Sequence, residues 1–241
     1  MELTEALESL IAREGVPLFG VADTAGFQHA LPDWHPRRLV PTAKRALVFG
    51  RPFVGPRLVV DDRTNLSNES YWKANEIVLG EIARLRSKMM DLLDSFGFAA
   101  CNFGGFRSDF ASTFSYRLAQ HEAGLGVYGH FGVCINPTFG CYYTVGVLLT
   151  DAVIPVTDRT QLEGFQPCSR CSLCAEACPP KAIDPGKQPE IGYDRDKCIR
   201  YIRALKKKHV IEAKACSRFF SVCPWGYDKV LGLHRDSAAQ A

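Results

Sequence analysis

A mixed α+β domain over residues 1–160, followed by a cysteine-rich module over residues 161–241, is the architecture this chain predicts. Three observations carry it. Helical periodicities and short apolar strands succeed one another through the first part. Seven of the ten cysteines then fall within the 56 residues from 168 to 223. Between the two lies a stretch, residues 123–151, whose glycines at 124, 126, 129 and 132 are too many for a helix interior.

The elements follow in order. Leu3, Leu7, Leu10 and Ile11 recur at helical spacing, with Gly15 placed to end the helix in a left-handed cap. Residues 17–22 read as a short strand, and the middle of residues 23–43 reads as a surface loop. RALVFGRPF, residues 45–53, reads as a buried strand with Gly50 close to another backbone. After a polar loop over residues 61–68, with Ser67 or Asn68 as N-cap, a long helix carries a stripe from Trp72 through Ile82 and Met89 to Phe96, and Gly97 stops it. A strand over residues 98–103, a Gly104-Gly105 turn, and a helix from about residue 112 to 122 ending at Gly124 come next. Asn136-Pro137 marks a turn, and residues 141–150 alternate like a strand. Residues 197–208 read as a helix with Ile199, Ile202 and Leu205 on one face and Arg200, Arg203, Lys206, Lys207 and Lys208 on the other.

Composition narrows the function classes. The chain has 241 residues, 46% hydrophobic and 23% charged, enough for a substantial core. Its net charge of +3 is too small to imply nucleic-acid binding by itself. Apolar runs such as residues 142–149 are far too short to span a bilayer. The N-terminus is acidic and amphipathic, without a signal-peptide layout or a twin-arginine pair, so a cytoplasmic protein is expected. In a reducing compartment Cys101, Cys134 and Cys141 are read as reduced thiols, small and apolar in use.

The remaining cysteines carry chemistry. CSRCSLCAEACPPKAI places Cys168, Cys171, Cys174 and Cys178 in the C-x2-C-x2-C-x3-C-P spacing of bacterial two-cluster ferredoxins, whose fourth cysteine ligates the other cluster. Cys198, Cys216 and Cys223 follow, the last before Pro224 and Trp225. By that crossover Cys168, Cys171, Cys174 and Cys223 close one cluster, and Cys178, Cys198 and Cys216 belong to the second. The position where a full second run has its fourth ligand is Phe219. The second cluster is therefore expected as a four-iron cube with an open site, a three-iron form, or a cube that recruits another ligand such as His209. A structural zinc site also uses Cys-x2-Cys pairs, but needs four ligands, not seven. The glycine-rich stretch suits either a backbone that lies flat against a ligand face or an ordinary hairpin. It lacks the strand-then-helix context of a dinucleotide fingerprint.

Taken in order, GLGVYGHFGVCINPTFG, LLTDAVIPVTD, CSRCSLCAEACPPKAI, KCIRYI and CSRFFSVCPW resemble the superfamily of epoxyqueuosine reductases and corrinoid-dependent reductive dehalogenases. RALVFG and the helix YWKANEIVLGEIARLR resemble it more loosely. The resemblance implies a nitroreductase-like α+β domain holding a base-off cobalamin. Two cubane clusters, one 4Fe-4S and the second as above, would feed electrons to its cobalt, which would reduce a small organic substrate. By motif position Gly124, Leu125, Gly126 and Gly129 would lie along the corrin, His130 would stand where the family has lysine or arginine, and Asn136 to Gly140 would form the adjoining turn.

The chain departs from the family in places. The D-S-A-P segment of the epoxyqueuosine reductases is missing, and Asp109 in FRSDFAS is the nearest acid. Their C-terminal helical-repeat domain has no counterpart, which argues against tRNA as the substrate. A reductive step wants a proton donor that is neutral at pH 7, and Tyr116, Tyr128, Tyr142 and Tyr143 are candidates, with Asp109 and His130 behind them. Two rivals stay open: an electron-transfer protein that reduces a partner's corrinoid, and a flavin-binding reductase. Charge runs are mostly solvated faces, but the basic face over residues 200–208 also suits an acidic electron donor such as ferredoxin or flavodoxin.

Overall fold

The computed structural model describes residues 2–29, 35–53, 69–102, 114–189, 191–208, 216 and 218–228. The expected Ser67 and Asn68 caps, the Gly104-Gly105 turn, Asp109 and His209 lie outside these. The elements are α1 (Leu3–Arg13), β1 (Leu18–Asp23), α2 (Pro36–Leu39), β2 (Arg45–Pro52), α3 (Glu69–Ser95), β3 (Ala100–Asn102), α4 (Tyr116–Glu122), β4 (Val127–Tyr128), β5 (Cys134–Ile135), β6 (Tyr143–Thr150), α5 (Leu173–Ala177), α6 (Arg195–Lys207) and α7 (Arg218–Val222). No helix among the described residues is long and apolar enough to cross a membrane.

The chain divides into two units. The first comprises Met1–Pro52, Asn75–Gly126 and Tyr143–Gly164. It is a mixed helix-and-sheet body around an antiparallel sheet of order β1-β2-β6-β3. The central pair, β2 and β6, run in register from Arg45 opposite Thr150 to Pro52 opposite Tyr143. Near-continuous burial along both strands explains the apolar run of β2 and corrects the alternation expected over residues 141–150, since every residue of β6 but Thr144 is buried. Ile82, Leu85, Met89 and Leu93 of α3 and Leu7 and Leu10 of α1 are buried on the spacing that defined their stripes. Gly20 has no side chain because the end of α4 lies there: a Cβ would sit 2.2 Å from the Ala123 carbonyl oxygen.

Three elements differ from expectation. Within residues 23–43 the chain forms a 3-10 turn, Thr24–His29, and the short helix α2, where the loop reading had neither. Pro36 opens α2 at the position where a missing N–H costs nothing, and the His35 ring accepts the Arg37 N–H. α4 starts at Tyr116, because the Ser115 side chain, and not an earlier serine, accepts the Leu118 N–H. β3 covers only Ala100–Asn102.

The second unit is assembled from Phe53–Ala74, Val127–Tyr142 and Phe165–Ala241. It joins the second half of the glycine-rich stretch to all seven cysteines of the C-terminal run. Its apolar centre is a ring cluster: Phe131 stacks on Phe219 at 4.7 Å, Tyr142 meets Phe220 edge-on at 5.4 Å, and Phe53 meets Tyr142 at 6.2 Å.

Candidate iron–sulfur centre and cofactor segment

All ten cysteines are free thiols. Those of the C-terminal run fall into two electrostatic neighbourhoods. Cys174, on α5, lies near Cys168, Cys223 and Cys171, and burial first and these thiols second push it up to about 12. Burial also pushes Cys168 up to about 11, opposed by a hydrogen bond from the His130 backbone N–H to its sulfur. The other neighbourhood joins Cys178, Cys198 and Cys216: Cys216 is raised by burial and then by Cys198 and Cys178, and Cys198 by burial and then by Cys178. Among the described residues, no three His, Cys, Asp or Glu side chains are grouped so as to hold a single metal ion.

Local structure sets these positions. Cys178 caps α5, and its sulfur accepts the Ala182 N–H at 3.3 Å. Lys181, held at φ 51°, turns the chain there. The segment then doubles back through an antiparallel bridge between Ile183 and Tyr193, with the Asp184 N–H donating to the Gly192 carbonyl and the Asp194 N–H to that of Ala182. This fold-back delivers Asp194 as the N-cap of α6, where its carboxylate accepts the Lys197 N–H at 2.8 Å, and sets Cys198 in the first turn. The Tyr193 hydroxyl, just before the cap, neighbours the Cys198 thiol and pulls it down against the burial that raises it. Burial raises that hydroxyl, so it stays protonated and remains a donor.

The glycine-rich segment touches both neighbourhoods. β4 and β5 form a tight hairpin. At its tip the His130 ring, 5% exposed, donates its Nε2–H to the Cys168 carbonyl at 3.0 Å. Its Nδ1 is buried with no hydrogen-bond partner. Gly132, at φ +79°, lies under Tyr193: a Cβ there would be 2.5 Å from Tyr193 Cδ1. A Cβ on Gly129 would be 2.9 Å from the Val133 carbonyl oxygen. Both glycines are thus accounted for by the chain's own packing. Asn136 accepts the Thr138 and Phe139 N–H groups, forming the expected turn, which an isolated bridge closes between Asn136 and Gly140. Cys141 follows, fully buried, with Cys223 and Cys168 as neighbours and its N–H on the Trp225 carbonyl.

The first half of the segment belongs to the other unit. Gly124, at φ +72°, ends α4, its N–H on the His121 carbonyl and the Leu125 N–H on that of Gln120. One tautomer of His121 serves two partners: Nε2 accepts from Arg159 at 2.8 Å, and Nδ1–H donates to the Gly126 carbonyl at 3.2 Å. Arg159 also pairs with Glu122 at 2.9 Å, and Gln161 donates to the Gly124 carbonyl. Arg159→Ala is therefore expected to raise hydrogen exchange of the Leu125 amide by ten-fold or more, about 1–2 kcal/mol of local stability for a partly exposed charged pair. Unchanged exchange there would show that the Arg159 bonds do not hold Gly124–Gly126.

The candidate acids are scattered over the two units. Tyr116 opens α4, half-buried against Phe114, and burial raises its hydroxyl. Tyr143 belongs to the first unit and donates to Gln120 Oε1 at 2.8 Å. Tyr128 and Tyr142 belong to the second unit; Tyr128 is buried on β4, beside Gly129, and Tyr142 is sealed in the ring cluster. Tyr193 and Cys141 are the polar neighbours of the cysteine sets that sequence reading missed. The only signals were positional: Tyr193 immediately precedes an Asp-x3-Cys helix start, and Cys141 ends the INPTFG turn.

No family model matches the chain. An epoxyqueuosine reductase from Pseudomonas aeruginosa is 30% identical over 133 residues, covering 50% of this chain and 34% of that protein. A tetrachloroethene reductive dehalogenase from Desulfitobacterium hafniense is 29% identical over 132 residues, covering 50% of this chain and 23% of that protein. The chain thus spans about a third or less of the length of these relatives. Among solved structures, a reductive dehalogenase described with a mechanism for B12-dependent dehalogenation superposes with a TM-score of 0.71 at 18% identity, covering 98% of this chain and 34% of that one. Solved epoxyqueuosine reductases share the fold as well. Over half its length by sequence, and by fold, this chain is similar to both epoxyqueuosine reductases and reductive dehalogenases.

Proposed function

We propose that the chain is a cobalamin-dependent iron–sulfur reductase acting on a small organic substrate, with a nitroreductase-like cofactor domain and a ferredoxin-like cluster module. The observation that carries this reading is the partition of the seven cysteines. Cys168, Cys171, Cys174 and Cys223 form one thiol neighbourhood, and Cys178, Cys198 and Cys216 the other, while a single glycine-rich hairpin reaches both. That partition supports the ligand crossover of a two-cluster ferredoxin. The first set would hold a 4Fe-4S cluster, and the second a cluster whose fourth corner lacks a thiolate because that position is Phe219.

The donor set also fits a corrinoid at His130. Its Nε2–H is committed to a carbonyl, so Nδ1 is a buried acceptor awaiting a donor, and the amide groups that fringe a corrin are such donors. Asn136 and Gly140, in the same unit as His130, would line the seat beside it. When bound, the corrinoid supplies a low-potential metal that carries the difficult reduction.

The chain's own residues do the rest. The thiolates would hold the clusters, and the N–H groups of His130 and Ala182 lie against the Cys168 and Cys178 sulfurs. For the proton, Tyr128 is favoured, since it adjoins Gly129 on the cofactor segment. Tyr116, Tyr142 and Asp109 are the alternatives. An acidic ferredoxin or flavodoxin would supply electrons, in the cytoplasm and without tRNA.

Anaerobic reconstitution with iron, sulfide and hydroxocobalamin tests the reading. The expected product is brown, holds about seven to eight irons per chain, and binds cobalamin base-off. Four irons or fewer would remove the second cluster, and a purely base-on spectrum would remove the proposed corrin seat. Flavin bands would identify a flavin reductase instead. Full iron with neither cofactor, and transfer only to a partner's corrinoid, would identify a carrier.

A further inference from the structure

The charge of this protein is segregated. From Arg195 to Lys208 there are seven bases and one acid, which leaves 22 bases and 25 acids elsewhere. A chain of net charge +3 is thus an acidic body of net −3 bearing one helix of net +6. On α6, Arg200, Arg203, Lys206, Lys207 and Lys208 are exposed, and among the described residues none of the five is ion-paired. Lysines in the last turn complement the helix dipole, but Arg200 and Arg203 sit mid-helix, where that explanation does not reach. The inner side of the same helix carries buried Ile202 and half-buried Cys198. The basic face is therefore one helix width, about 10 Å, from Cys198.

We propose that this face docks a small, acidic ferredoxin and so makes α6 the entry point for electrons. The proposal rests on the reading that Cys198 helps hold a cluster. A polyanion such as RNA would also meet the lysines. The protein carrier is favoured because the stripe lies on a helix that itself carries a cluster cysteine, which shortens the path for an electron and is irrelevant to a phosphate backbone. Opposite charge raises the encounter rate and orients the partner, and salt screens both. One electron passes per encounter: the ferredoxin's reduced cluster is oxidised, and the cluster beside Cys198 is reduced.

The test is anaerobic stopped-flow reduction of the reconstituted protein by reduced, acidic bacterial ferredoxin, with titanium(III) citrate as a reductant that needs no docking. The expected second-order rate with ferredoxin falls at least about ten-fold between roughly 50 and 300 mM salt. It falls similarly in Arg203→Glu/Lys207→Glu at low salt, while iron content, far-UV circular dichroism and the titanium citrate rate stay as in the wild type. A ferredoxin rate indifferent to both changes overturns the proposal. So does tRNA binding that the double variant abolishes while its ferredoxin rate is unaltered, since the face is then an RNA surface. A chain that takes up no iron, leaving titanium citrate nothing to reduce, overturns the cluster reading itself and the docking site with it.

Discussion

Phe219→Cys is expected to gain about one iron per chain and to lose the EPR signal of an oxidised three-iron cluster. The second cysteine set has three members, Cys178, Cys198 and Cys216, and a phenyl ring cannot ligate iron. The ring is not idle: it stacks on Phe131 at 4.7 Å and lies 4.4 Å from Phe220. Exchanging it for a thiol removes that half-buried stack at a cost of about 1–3 kcal/mol, so the variant should be less stable before reconstitution and richer in iron after it. Iron analysis, EPR and thermal melting of the cluster-free chain together check this. Two ordinary four-iron signals in the wild type, with Phe219→Cys changing neither iron nor spectrum, would mean that another residue fills the corner.

Gly132→Ala is expected to cost about 2–4 kcal/mol, from a left-handed alanine and from overlap with the Tyr193 ring. It should also reduce iron in the Cys178 set, because Tyr193 cannot both clear a new methyl group and keep its hydroxyl beside Cys198. Tyr193→Phe separates the two effects. It leaves the ring over Gly132 and removes only the hydroxyl donor, so iron content should hold while that cluster's reduction potential falls, since hydrogen bonds to the sulfurs tune it. Wild-type melting temperature and iron content in Gly132→Ala would refute the contact, and an unmoved potential in Tyr193→Phe would refute the tuning.

The elements that could be read in advance are those whose cause is local. The stripe of α3, the apolar run of β2, the caps at Gly15, Gly97 and Gly124 and the turn at Asn136 each depend on neighbours a few residues away. The cysteine spacing pointed to two sets, and the thiols fall into two matching electrostatic neighbourhoods, while the clusters they would hold remain a proposal. What stayed hidden depends on distant partners. Gly132 meets Tyr193 across sixty-one positions, and nothing in GHFGV distinguishes a glycine cleared for a tyrosine from one cleared for a ligand. Cys141 looks like any small buried residue until Cys223 is placed beside it. The order β1-β2-β6-β3 likewise needs a strand pairing that skips about a hundred residues.

The closing member of the Cys168 set comes late. Cys223 stands 49 residues beyond Cys174. At ribosomal speeds of roughly 5–20 residues per second, it emerges about 2–10 s after the other three. During that interval the His130 hairpin has already left the tunnel and can hold Cys168, while three thiols wait with no fourth. The turn that follows the hairpin also brings Cys141, which neighbours Cys168 and, in the finished fold, Cys223. A nascent chain would therefore carry a thiol in reserve beside an incomplete set, and loading of the proposed cluster would wait on Cys223 rather than begin with the first cysteines to appear.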